Sequence, residues 1–141
     1  MDRIKVTITA DIKPTEDREK VIRAILNLFP DAVFDEYERV IVGRTDSLER
    51  FKELIKEQRI RDTVRSYMLG HTYGGKNIVV FLNKEVAYIG RVNLAEEGEL
   101  TMGEIRVDIS CDDAALLIDY LTHHSPSEKD GKNGRKDFNN R

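Results

Sequence analysis

Residues 4–13 constrain the fold more than any other stretch. Ile4, Val6, Ile8, Ala10 and Ile12 alternate without a break with Lys5, Thr7, Thr9, Asp11 and Lys13. A period of two with one apolar face is a half-buried β-strand. Pro14 ends it, and Thr15 is the expected N-cap of a helix with Glu16 and Asp17 in its first turn, where the helix dipole favours anions. Val21, Ile25 and Leu28, flanked by Ile22 and Phe29, give that helix its buried stripe, and Pro30 stops it.

Strand and helix keep alternating along the chain. Residues 32–44 are rich in Val, Ile, Phe and Tyr and read as strand, broken at Gly43. Asp46 and Glu49 have the spacing of a capping box, so a helix carrying Leu48, Phe51, Leu54 and Ile55 should follow. Ile60, Val64, Tyr67 and Met68 continue at helical spacing but in a shifted phase, which predicts two helices or one kinked helix ending at Gly70. Glycines make residues 71–77 a loop. Residues 78–82 are uniformly apolar, as suits a central strand. Asn83-Lys84 then predicts a tight hairpin into a strand over 86–90. Glu97-Gly98 marks a further turn, and Ile105, Val107 and Ile109 alternate with Arg106 and Asp108 as the last strand. Asp112 or Asp113 should cap a final helix carrying Ala115, Leu117, Ile118 and Leu121.

This order, β-α-β-α(α)-β-β-β-α with tight hairpins, predicts an α+β fold: a mostly antiparallel sheet with helices packed on one face. A length of 141 residues suits one domain. The expected division is a single domain over residues 1–123 and a disordered polar tail over 124–141, where Phe138 is the only large apolar side chain. No stretch approaches the roughly 20 apolar residues of a membrane span. Cys111 is the only cysteine, which excludes an internal disulfide and fits a reducing cytoplasm. The net charge is −3, and the stretch 125–141 is itself basic, so the body is the more acidic part. Such a body argues against non-specific coating of nucleic acid, which depends on phosphate neutralisation, but leaves room for a local basic patch.

Several constellations carry less than their residue types suggest. His123-His124 are adjacent, a separation from which two imidazoles rarely converge on a metal. Cys111 stands beside Asp112 and Asp113, whose charges oppose thiolate formation. Tyr73-Gly74-Gly75-Lys76-Asn77 lacks the spacing of a phosphate-binding loop and leads into a strand rather than a helix. No nucleophile–base pair or metal-ligand set emerges, so neither catalysis nor a cofactor is expected. The remaining feature is the run Arg59, Arg61 and Arg65. Arg61 and Arg65 lie one helical turn apart on one face, while Arg59 points elsewhere. With Lys76, Lys84 and Arg91 they would make a phosphate-contacting patch; the competing reading is a solvated face paired with Glu57 and Asp62.

Four blocks in register add a resemblance. Pro14-Thr15-Glu16-Asp17, Phe29-Pro30, Gln58-Arg59-Ile60-Arg61-Asp62, and Phe81-Leu82-Asn83-Lys84 with Gly90 resemble an archaeal protein family of uncharacterised function. The similarity spans residues 4–121. It implies a fold similar to that of the large-subunit ribosomal protein that binds 5S RNA, and the family is sometimes labelled RNA-binding on that basis. Some relatives are fused to a P-loop kinase-like domain. The resemblance makes residues 58–62 with Asn83 and Lys84 the positions to carry forward. Two functions follow: an RNA- or ribonucleoprotein-binding module using Arg59, Arg61, Arg65, Lys76 and Lys84, or a protein-interaction or oligomerisation module accessory to a nucleotide-handling enzyme.

The polarity of the tail makes one expectation measurable. A chain ending at His124 should melt within a couple of degrees of the full chain by calorimetry. A large loss would mean that Phe138 docks on the body.

Overall fold

The computed structural model describes residues 3–123. The expected tail over 124–141 lies outside the described residues. Within them the strands are β1 (Lys5–Asp11), β2 (Val33–Glu36), β3 (Val40–Thr45), β4 (Thr72–Tyr73), β5 (Asn77–Asn83), β6 (Leu94–Ala95) and β7 (Glu104–Ser110). The helices are α1 (Arg18–Leu28), α2 (Glu49–Glu57), α3 (Arg61–Gly70), α4 (Lys84–Tyr88) and α5 (Ala114–Thr122). All seven strands join one antiparallel sheet in the order β2-β3-β1-β7-β5-β4, with β6 also on β5. The expected α+β class and its antiparallel sheet are borne out.

The alternation seen in the sequence decides the layers. Val6, Ile8 and Ala10 of β1 face inward beside Ile105, Val107 and Ile109 of β7 and Ile78, Val80 and Leu82 of β5. Val21, Ala24, Ile25 and Leu28 of α1, Phe51 and Ile55 of α2, Val64 and Met68 of α3, and Leu117, Ile118 and Leu121 of α5 join them in one core. The other face of the sheet stays open. No helix among the described residues is long and apolar enough to cross a membrane.

Local chemistry redraws several boundaries. The α1 cap is Asp17 rather than Thr15: Glu16 N–H donates to Lys13 O at 2.9 Å, so Thr15 sits in a turn and the helix opens two residues later. Asp46 does not cap α2; Ser47 Oγ accepts from Glu49 N–H at 3.3 Å while buried Leu48 occupies the cap position. Residues 32–44 fold as two strands, because Tyr37 N–H donates to Val40 O and turns the chain back. The loop over 71–77 is a short hairpin, in which Gly74, Gly75 and Lys76 join Tyr73 to Asn77 and both glycines take positive φ.

The largest departure follows β5. In place of the expected hairpin, Asn83 Oδ1 accepts from Val86 N–H at 3.0 Å and starts helix α4. The strand that returns to β5 is β6, with Leu94 opposite Leu82. Between β4 and β6 the outer side of β5 is completed by a side chain: Tyr67 Oη accepts from Phe81 N–H at 3.1 Å and donates to Ala95 O at 2.6 Å.

Tyr67→Phe strands a backbone donor and a backbone acceptor at that seam, and the expected cost is about 2 kcal/mol by denaturant unfolding. Burial also pushes the Tyr67 hydroxyl above its ordinary value of 10.0. A folded-state value above the unfolded one supplies stability at neutral pH that is lost as the solution becomes alkaline past that value. The Phe variant should lose that share of the alkaline dependence.

Candidate nucleic-acid interface

The five basic residues expected to converge do not. Lys84, the first residue of α4, is turned inward by the Asn83 cap and is only 5% exposed. Its ammonium donates to Asp11 O and Met102 O, both at 2.7 Å, and to the Glu16 carboxylate at 3.0 Å. Three partners use all three protons, so none is left for a phosphate. Lys76 is exposed in the β4–β5 turn, at the far end of β5 from Lys84. Seven strand residues put about 23 Å between them.

Arg61 and Arg65 do share a helix face, and that face is turned to α5. Arg61 is buried and donates to His123 O at 3.5 Å. Arg65 forms an ion pair with Asp119 and reaches Thr122 Oγ1 at 3.4 Å. Two guanidiniums engaged in joining α3 to α5 are poor candidates for a phosphate surface. Of the five, Arg59 and Lys76 stay exposed without an ion-pair partner among the described residues, and only Arg59 belongs to the block around Gln58.

Arg59 sits where α2 ends. Arg59 N–H donates to Lys56 O at 3.1 Å and Ile60 N–H to Ile55 O at 3.0 Å, the paired bonds of a Schellman cap. That cap needs a left-handed residue, usually glycine, and Arg59 takes the position with φ of 60°, the only non-glycine among the described residues to do so. Its neighbour Gln58 clamps the loop after α4: Gln58 Nε2 donates to Val92 O at 2.9 Å and Val92 N–H donates to Gln58 Oε1 at 2.7 Å. The clamp brings the α2–α3 break, with Arg59, against the loop that carries Arg91.

The start of the same loop is also held by α1. Asn27 Nδ2 donates to the last carbonyls of α4, Ala87 O at 3.0 Å and Tyr88 O at 2.9 Å. Lys20 and Arg23 lie seven and four residues before Asn27, on the same side of α1. Lys20 Nζ stands 5.7 Å from the Tyr88 ring centre. The result is a strip running from Lys20 and Arg23 over exposed Tyr88 and Ile89 to Arg91 and Arg59. Arg23, Arg91 and Arg59 have no ion-pair partner among the described residues. The open sheet face has a different balance: Arg44 pairs with Asp35 and Arg106 with Asp108, leaving Asp11 and Glu104 at one end of the central strands and Lys5 at the other.

Sequence reading named Arg59 and Arg91 and missed Lys20 and Arg23. Reading residues 86–90 as a strand hid the helix that joins α1 to this loop. The signal available was Asn83 itself, a good helix cap in front of Glu85.

Comparison with known proteins gives the strip its context. A family model described as RNA binding matches residues 5–111. A UPF0201 protein of Thermococcus onnurineus is 41% identical over 134 residues, covering 90% of this chain and 95% of that protein. A UPF0200/UPF0201 protein of Archaeoglobus fulgidus is 36% identical over 132 residues; the chain spans only 39% of its length. The crystal structure of a UPF0201 protein from Methanococcus jannaschii superposes with a TM-score of 0.79 at 34% identity, covering 87% of this chain and 96% of that one.

Lys84→Met tests the reassignment. Removing the ammonium leaves Glu16, Asp11 O and Met102 O without their donor, and the expected loss is about 3 kcal/mol in calorimetry or urea unfolding. A variant as stable as the parent would return Lys84 to the list of surface cations.

Proposed function

Since the chain belongs to the UPF0201 family, whose model is described as RNA binding, we propose that it is a non-catalytic module that binds RNA through the strip from Lys20 to Arg59. One observation carries this reading. An arginine holds a backbone conformation in which glycine would be relaxed, and the strain is of order 1 kcal/mol. Strain of this kind persists where the side chain has work to do, and this side chain has no ion-pair partner among the described residues. Guanidiniums on either side of an exposed tyrosine suit RNA, giving bidentate donors to phosphates and a ring for an unstacked base.

The non-catalytic half of the reading rests on what the reactive side chains are doing. Lys84 is fully engaged in a buried ion pair, and Cys111 Sγ lies 3.6 Å from Lys76 O as a weak donor inside the core. His71 stacks on Tyr67 with ring centres 3.8 Å apart and bonds Tyr67 O and Glu96 through its two nitrogens. Each has a structural partner already.

The test is a salt titration of binding to RNA co-purified from the native host. Arg59→Ala with Arg91→Ala should reduce the slope of log affinity against log salt by about 0.7 for each lost single-strand contact. Arg59→Gly should weaken binding while raising stability by about 1 kcal/mol, because it removes the charge and the strain together. Unchanged slopes would remove the strip from the account.

A further inference from the structure

β2 is an end strand of the sheet, and no strand among the described residues pairs with its outer side. Tyr37 N–H donates to Val40 O at 2.9 Å, which closes the β2–β3 hairpin. In an antiparallel ladder the inward-bonding residues alternate. Asp35 and Val33, opposite Val42 and Arg44, therefore also turn their backbone groups toward β3. The amide and carbonyl groups of Phe34 and Glu36 point away from the sheet. On the opposite side of the sheet, β4, the Tyr67 hydroxyl and β6 together complete β5.

The chemistry along this open edge is mainly acidic. Residues 31–38 contain Asp31, Asp35, Glu36 and Glu38, and the adjoining cation is Arg39, exposed in the hairpin turn. Arg44 pairs with Asp35 and Arg18 with Glu36, while Asp31 and Glu38 have no ion-pair partner among the described residues. Val33 and Tyr37 stand exposed at the two ends, at 72% and 56%. Edge strands are commonly guarded by a lysine, a proline, a bulge, short length or charged side chains; β2 lacks the first three, and its guards against its own kind are its four-residue length and the charges of Asp35 and Glu36. A second copy of the same edge would bring like charges together, since two antiparallel β2 strands would crowd four carboxylates.

We propose that the outer edge of β2 takes a lysine- or arginine-rich peptide as an added strand. The backbone groups of Phe34 and Glu36 supply the ladder bonds, and the carboxylates of Asp31 and Glu38 select a basic partner. This surface is separate from the strip around Arg59 and does not depend on RNA binding there.

The probe is an acetylated octapeptide alternating lysine with valine, added to the full chain at low salt, with amide exchange followed residue by residue. Binding should slow exchange at Phe34 and Glu36, and a glutamate–valine octapeptide should bind at least tenfold more weakly, roughly the discrimination like charges impose. Glu36→Pro removes an outward N–H that the β2–β3 ladder does not use, and should abolish the protection with the fold retained. Asp31→Asn with Glu38→Gln keeps the strand and should weaken binding severalfold. Peptide binding that survives Glu36→Pro would overturn the proposal, as would equal affinity for the glutamate peptide. Concentration-dependent protection of the same amides without peptide would overturn it in favour of pairing between copies.

Discussion

The Lys84 ammonium holds the end of the molecule on which the candidate interface is built. It joins the last carbonyl of β1, the turn before α1 through Glu16, and the approach to β7 through Met102 O. Burying a charge is unfavourable unless every proton finds an acceptor, and here each does. The geometry is demanding, so the three segments have little freedom to move apart. Lys84 is also the first residue of α4, so the same contact fixes where that helix begins. α4 then lies against α1, Asn27 caps its end, and Tyr88 and Ile89 emerge where they do because the helix is only five residues long.

What could be read from the sequence was what depends on periodicity. β1, β7 and the buried stripes of α1 to α3 follow from apolar spacing, and the core contains the residues that spacing selects. What could not be read depends on which partner a polar side chain finds. Arg61 and Arg65 share a face, as one helical turn dictates, but only tertiary structure puts α5 there. Asn83 suits a turn or a helix cap equally well by composition; the burial of Ala87 against α1 decides for the cap. Thr15 and Asp17 compete to start α1, and a backbone bond from Glu16 to Lys13 O decides for Asp17.

Arg59 shows the two levels in conflict. A left-handed helix end selects for glycine, and local consistency is what makes a sequence fold well. Departures from it are expected where function requires a particular side chain. The Gln58 clamp on Val92 gives the exception its structural setting, since it holds the break in place from the neighbouring residue. Gln58 and Arg59 therefore act as a unit, one fixing the backbone and the other presenting the charge.

The acidic body remains to be reconciled with the proposed RNA-binding role of the strip. Net charge governs long-range attraction, and at physiological salt that attraction is screened beyond about 8 Å. Asp35, Asp108 and Asp119 are each paired with an arginine, and Glu53 and Glu57 share Arg50. Much of the negative charge is thus neutralised locally, while Arg23, Arg59 and Arg91 are not. The body's remaining negative charge lowers affinity for any polyanion that fails to reach all three guanidiniums at once. On the proposed reading, an acidic protein whose small basic strip is unpaired among the described residues would favour selectivity at modest affinity, the opposite balance from a protein that coats nucleic acid.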